Sequence, residues 1–327
     1  MSRLAVMLGA VAMMAAIFVA AHRFGTAGAG PRQQREAAPG ESIRVVATTG
    51  IVADAVRAVG GERLRVDSLM GAGVDPHLYK ASEGDVTRMA EARVIFYSGL
   101  HLEGKMAEVL LELATHGATT VAVTDGIPRA KLRRAAEFQG SYDPHVWFDV
   151  ELWIDVVGKI RDVLTAVDPR EADGYRRRAA RHLEELRALH AEVAARIASV
   201  PRAQRLLVTA HDAFGYYGRA YGLDVHGVQG LSTTAEAGAA DVQRLAGLIA
   251  RRRIPAIFVD SSVPIRIIEA VQAAVRARGF EVRVGGELYS DALGDPGGAA
   301  GTYLGMLRQN TDTIVRALRG DTMPGRP

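Results

Sequence analysis

From Arg170 to Val200 the chain contains no proline, and no glycine after Gly174. Leu183, Leu186, Leu189, Val193 and Ile197 recur at spacings of three and four. The remaining positions are mostly Arg, Glu and Ala, all good helix formers. A helix of about 30 residues spans about 45 Å at about 1.5 Å per residue, longer than one small lobe needs. Such a helix is either a coiled-coil arm or a strut between two lobes. The order of strands and helices resumes beyond it, which selects the strut. Pro201 ends it.

Before the strut, β-branched runs alternate with amphipathic segments. Strands are expected at Ile43–Thr49, Leu64–Leu69, Val94–Tyr97 and Thr119–Val123. Helices are expected at Ile51–Val59, Ser82–Ala92, Lys105–Thr115 and Trp153–Val167. After it, strands are expected at Leu206–Thr209, Val225–Val228, Ala256–Asp260 and Glu281–Val284. Helices are expected at Phe214–Tyr221, Ala239–Arg252, Ile265–Arg278 and Thr302–Arg319. This order implies an α/β fold of two lobes, each with a central, mostly parallel four-stranded sheet flanked by helices, joined by one long rigid helix. The expected N-terminal lobe covers residues 43–168, the linking helix 169–201 and the C-terminal lobe 202–327.

The first residues read differently. Arg3 precedes an uncharged, mostly apolar run from Leu4 to Ala21, followed by small residues from Gly25 to Gly30. Residues 1–29 are therefore expected to be a signal peptide, cut after Ala21 or Ala29, or an uncleaved anchor. Residues 30–42 are expected to be a flexible leader. Either reading places the rest of the chain outside the cytoplasm, in a periplasm. The chain has no cysteine, which excludes disulfides, thiolate ligands, Fe–S clusters and lipid attachment at a cysteine. A formal charge of +3 over 327 residues gives no footprint for nucleic acid.

Asp-Pro-His occurs twice, at Asp75-Pro76-His77 and Asp143-Pro144-His145, and His211-Asp212 and Ser290-Asp291 follow later. All four sites come after expected strands. In open parallel sheets the loops at the carboxyl ends of strands form the ligand crevice. His77, His145, His211 and Asp291 could thus meet between the lobes, two from each. Three imidazoles and a carboxylate suit zinc and its late-series neighbours, and the carboxylate also accommodates manganese. Each proline fixes the approach of its turn. Asp75, Asp143 and Asp212 could orient the rings or cap helices. The bland reading, two turn motifs with capping aspartates, stays open on the residues alone. Of the other histidines, His101 is the best alternative ligand because it follows a strand, while His182 and His190 read as face residues of the strut.

The stretches Gly73–Tyr79, Tyr142–Trp147, Thr209–Tyr216, Gln229–Thr233, Ile257–Ser262 and Leu288–Asp291 resemble the TroA-like metal-binding solute-binding proteins of ABC transporters. The resemblance runs from about Ile43 to Leu318. It implies two lobes on a single helix, with metal ligands at His77, His145, His211 and Asp291. A histidine rather than a glutamate at position 211 points to the zinc or zinc/manganese members, with iron(II) less expected. The His-rich loop of dedicated zinc members has no counterpart in Asp125–Ser141, and Glu is more usual at the position of Asp260. The implied function is capture of a divalent metal ion by a monomer and its delivery to an ABC permease and its ATPase. The rival readings are a secreted metal-dependent hydrolase and a surface adhesin. No His-Glu-x-x-His or Gly-x-Ser-x-Gly segment supports the first, so no enzyme activity is expected.

Overall fold

A computed structural model describes residues 42–134 and 141–320. The expected signal segment 1–29 lies outside the described residues, as does all of the leader but Ser42. No helix among the described residues is long and apolar enough to cross a membrane.

Four short strands, β1 (Ile43–Ala47), β2 (Leu64–Ser68), β3 (Val94–Tyr97) and β4 (Thr120–Ala122), form the first sheet in the order β2-β1-β3-β4. Every pairing in it is parallel. Parallel neighbours need crossovers, supplied here by α1 (Gly50–Gly60), α2 (Glu83–Glu91) and α3 (Ala107–Thr115). Local chemistry starts these helices: the Thr49 side chain accepts the Val52 N–H, and Ser82 and Asp85 form a reciprocal capping box.

Helix α4 (Val150–Val167) then leads into α5 (Ala172–Ala198), the expected strut. It is shorter at both ends than its sequence pattern, because Pro169–Glu171 forms a 3-10 turn and Ser199 already lies past the last helical residue. Arg63 Nε donates to Asp168 Oδ2 at 2.7 Å and fixes the corner between α4 and α5. Tyr175, Ala179, His182, Leu186, Leu189, Val193 and Ile197 are buried, one helical stripe packed against α1 and α4 and, further on, against a helix of the second half. Burying each Leu, Val or Ile of that stripe contributes about 2 kcal/mol. His182, read as a face residue of this helix, lies on its buried face.

The second half contains β5 (Leu206–His211), α6 (Gly215–Tyr221), β6 (Asp224–Gln229), α7 (Ala239–Arg252), β7 (Ala256–Asp260), α8 (Arg266–Arg276), β8 (Arg283–Leu288) and α9 (Tyr303–Arg319). The expected single four-stranded sheet is divided here into two parallel pairs, β5–β6 and β7–β8. Strands β5 and β7 still lie side by side. At their ends, however, the amides of Ala210 and His211 donate to the side-chain carboxylate of Asp260 rather than to a strand carbonyl. The β7–β8 register also shifts between Ile257 and Val259.

Strand β8 lies later than expected. It was expected at Glu281–Val284, but it runs through Gly285 and Gly286 to Leu288. A Cβ on Gly285 would come within 2.7 Å of Ala317 Cβ and 2.9 Å of Ala256 Cβ. The glycine is there because β8 packs directly on its neighbours. The later strand brings its carboxyl end to Leu288, close to Asp291.

Candidate metal centre

His77, His145, His211 and Asp291 come together: one candidate ligand atom of each lies within 4.8 Å of all the others. All four side chains are buried. His77 stands on the turn after β2, His145 on the turn before α4, His211 is the last residue of β5, and Asp291 follows β8. The first sheet and the second half thus supply two residues each, from the carboxyl-end side of their strands. His101 is exposed and lies outside the cluster.

The distances describe a pocket lined by donor atoms. His77 Nε2 and His145 Nε2 are 3.4 Å apart. Asp291 Oδ1 lies 3.6 Å from His145 Nε2, and Asp291 Oδ2 lies 3.2 Å from His211 Nε2. Two buried atoms, His211 Nε2 and Asp291 Oδ1, have no hydrogen-bond partner among the described residues. Orphaned polar atoms are costly in an interior, and a cation between them would satisfy both.

The two Asp-Pro-His turns use their aspartates differently. Asp143 Oδ1 meets His145 Nδ1 at 2.8 Å, which places the proton on Nδ1 and turns the Nε2 lone pair into the pocket. Asp75 Oδ1 instead accepts the backbone N–H of His77 at 2.8 Å, and its Oδ2 accepts the Thr233 hydroxyl of the second half at 2.6 Å. His211 takes its support from Asp260 Oδ2, 2.7 Å from Nδ1, and not from the adjacent Asp212. Neighbouring residues at a strand end point to opposite faces, so the partner of His211 comes from the neighbouring strand.

Sequence reasoning passed over several of these supports. Arg133 Nη1 donates to Asp143 Oδ2 at 2.8 Å. That guanidinium occupies the space beside Gly215, where a Cβ would lie only 1.2 Å from Nη1. The Trp147 indole N–H donates to the Ser290 carbonyl, and the Tyr303 hydroxyl donates to the Trp147 carbonyl, at 2.9 and 2.7 Å. The Ser262 hydroxyl donates to Asp291 Oδ2 at 3.3 Å. Glycine at 215 and the aromatic at 147 were visible signals, but their partners are remote in sequence.

The electrostatics suit a dication. The Asp291 carboxyl lies in the cluster, Asp143 and Asp260 lie behind two of its imidazoles, Asp75 holds the backbone of His77, and the Arg133 guanidinium reaches Asp143. Burial raises the Asp291 carboxyl, but His211, His145 and His77 outweigh it and hold it well below the usual carboxylate range. Burial pushes the His77 imidazole down to about 3, which leaves a neutral ring with a free lone pair at neutral pH. Burial alone would depress His211 too, but Asp291 and Asp260 hold it well above the ordinary imidazole value. A cation arriving at its Nε2 takes the place of that proton.

Residues 45–317 match the family model described as ZnuA, zinc-uptake complex component A periplasmic. The chain belongs to the ZnuA family. Among similar proteins, the manganese-binding lipoprotein MntA of Bacillus subtilis (strain 168) is 44% identical over 307 residues, covering 94% of this chain and 99% of that protein. The zinc-binding protein TroA of Treponema pallidum (strain Nichols) is 47% identical over 282 residues, 86% of this chain and 90% of TroA. The solved structure of the periplasmic zinc binding protein TroA from Treponema pallidum superposes with a TM-score of 0.82 at 46% identity, covering 85% of this chain and 99% of that one. The ZnuA-family chain therefore shares its α/β fold, with parallel strands and a long helix, with that structure.

Proposed function

We propose that this ZnuA-family chain is a solute-binding protein that captures a divalent transition-metal ion outside the cytoplasm and delivers it to an ABC permease and its ATPase. Zinc and manganese are the cargo ions, with iron(II) less favoured. His77, His145, His211 and Asp291 hold the ion. The observation that carries this reading is the buried convergence of three imidazoles and a carboxylate, two of whose atoms have no hydrogen-bond partner among the described residues. The relatives named for binding manganese and zinc support the same choice of ions.

In this reading residues 43–168 and 202–327 form the two lobes, residues 169–201 link them, and residues 1–29 export or anchor a monomer in the periplasm. Four protein donors leave no obligatory position for a catalytic water, which favours a carrier over a metal-dependent hydrolase. No specific observation favours an adhesin.

Elemental analysis of the purified protein and competitive titration with zinc and manganese test the proposal. The wild-type chain should carry one ion. His211→Ala should weaken binding by more than about 100-fold, since even outer partners of a ligand are worth about 10–100-fold. Wild-type affinity in that variant would remove His211 from the site.

A further inference from the structure

The formal charge of +3 over the whole chain conceals a local excess. The metal cluster takes His211 and Asp291 from the carboxyl ends of β5 and β8. The other end of the second half is where α7 and α8 finish and β8 begins. Arg251, Arg252, Arg253, Arg276, Arg278 and Arg283 gather there, and all six are exposed. They form one patch. A Cβ on Gly247 would lie 3.2 Å from Arg251 Nη1 and 3.9 Å from Arg278 Nε, so both guanidinium groups reach over the same glycine. The Arg283 N–H donates to the carbonyl of Pro255, two residues after Arg253, at 3.0 Å. Arg252 pairs with Asp224 at 2.5 Å, and the other five make no ion pair among the described residues. Glu281 is the one acid between Arg276 and Arg283.

The negative ends of helices attract arginines in their last turns. That accounts for Arg251, Arg252 and Arg276, but not for Arg283, which lies on a strand. Nor does it account for Arg253, which caps α7 at φ +51, in the left-handed region where glycine is the usual residue. The Arg253 guanidinium lies 5.4 Å from the centroid of the Phe280 ring, and Val284 is exposed beside Arg283. Arginines that have no acid to answer, edged by apolar side chains, fit a lipid surface. Guanidinium groups take phosphate in a two-pronged grip, while apolar groups sink into the interface. The chain has no cysteine to carry a lipid. Any hold on a membrane beyond the apolar run Leu4–Ala21 therefore falls to its protein surface.

We propose that this arginine patch binds the anionic phospholipid surface of a membrane. It lies at the end of the second half away from the ligand turns, so contact there leaves those turns clear. The metal-carrier reading neither requires nor supplies this surface.

The test is co-sedimentation of the full chain with vesicles of phosphatidylcholine alone and of phosphatidylcholine mixed with phosphatidylglycerol. Binding to the neutral vesicles measures what the apolar run contributes, and the excess on the anionic vesicles measures the patch. A basic residue near an anionic surface is worth about fivefold in partitioning. Replacing Arg251, Arg276 and Arg283 together by Gln removes three charges that make no ion pair, and should cut the excess about 100-fold. Arg283→Gln alone should cut it about fivefold, which keeps the test decisive if the triple variant fails to fold. Replacing the exposed Arg177, Arg181 and Arg187 of α5 by Gln removes the same charge elsewhere and should change the excess by less than about threefold. The excess should also fall steeply as salt rises from about 0.05 M to about 0.5 M. An equal affinity of the wild-type chain for both kinds of vesicle would overturn the proposal. So would an unchanged excess in the patch variants, or an equal loss in the α5 variant.

Discussion

The indole N–H of Trp147 donates to the main-chain carbonyl of Ser290 at 2.9 Å, tying the residue two places after His145 to the residue just before Asp291. Both residues are buried. Trp147→Phe removes the donor and leaves the carbonyl without it, a cost of about 1–3 kcal/mol before any loss of packing. Chemical denaturation should show that loss of stability. Metal titration should show weaker binding, because the bond joins two of the turns that present the ligands. A variant with full affinity would show that the turns keep their spacing without it.

Gly215 and Arg133 should behave as one unit. The Arg133 guanidinium fills the space a side chain at 215 would need, and it reaches Asp143, which supports His145. Gly215→Ala should push the arginine aside, with the fold retained because the displaced group is the end of a flexible side chain. Metal affinity should fall about tenfold, within the range for an outer partner of a ligand. Arg133→Ala should give a similar loss, and the double variant little more than either alone. Additive losses in that cycle would show that the two residues act separately.

Asp260→Asn keeps the shape of the group that meets His211 Nδ1 at 2.7 Å and removes its charge. Ion affinity should fall by about 10–100-fold, as for other carboxylates behind a ligating histidine. Thermal unfolding without added metal should change much less than it does for a core truncation. The comparison separates support of the ring from support of the strand end.

The cap of α2 should report on acid. Burial raises the Asp85 carboxyl, but the Ser82 N–H, the Tyr79 and Ser82 hydroxyls and Arg88 outweigh it and bring it to about 2. That is below the value of about 3.9 for an unfolded Asp. Its contribution is therefore present in full above about pH 4 and is lost as the pH falls through about 2. Asp85→Ala should destabilise the protein by about 1–2 kcal/mol at pH 7. Denaturation at a series of pH values should show the gap between variant and wild type narrowing below about pH 4.

Local and periodic features were legible in the residues. The strut could be read because Leu186, Leu189, Val193 and Ile197 repeat on one helical face, and all four are buried. The pairing of strands could not, because β5 meets β7 through the Asp260 carboxylate, a contact across 49 residues or more. Strand β8 runs past its expected end at Val284 through Gly285, where the crowding of Ala317 and Ala256 leaves no room for a side chain. His77, His145, His211 and Asp291 could be nominated from their places after strands. Their contacts could not: Asp260, Ser262 and Thr233 lie in stretches that carry the resemblance and Arg133 does not, but only the folded chain shows that Asp260 meets His211, Ser262 meets Asp291, Thr233 meets Asp75 and Arg133 meets Asp143.

Thr233 reaches Asp75, Tyr216 donates to the Asp143 carbonyl, and Tyr303 donates to the Trp147 carbonyl, so each first-half turn is completed by the second half. A gene divided within α5 would therefore encode two fragments, each with half the ligands and turns lacking their outer braces. Neither fragment would be a small binding protein in its own right. Mixed together, they would regain a pocket only on reassociation, and a captured ion would favour the reunited pair by mass action. The chain would then serve as a split reporter whose assembly depends on metal.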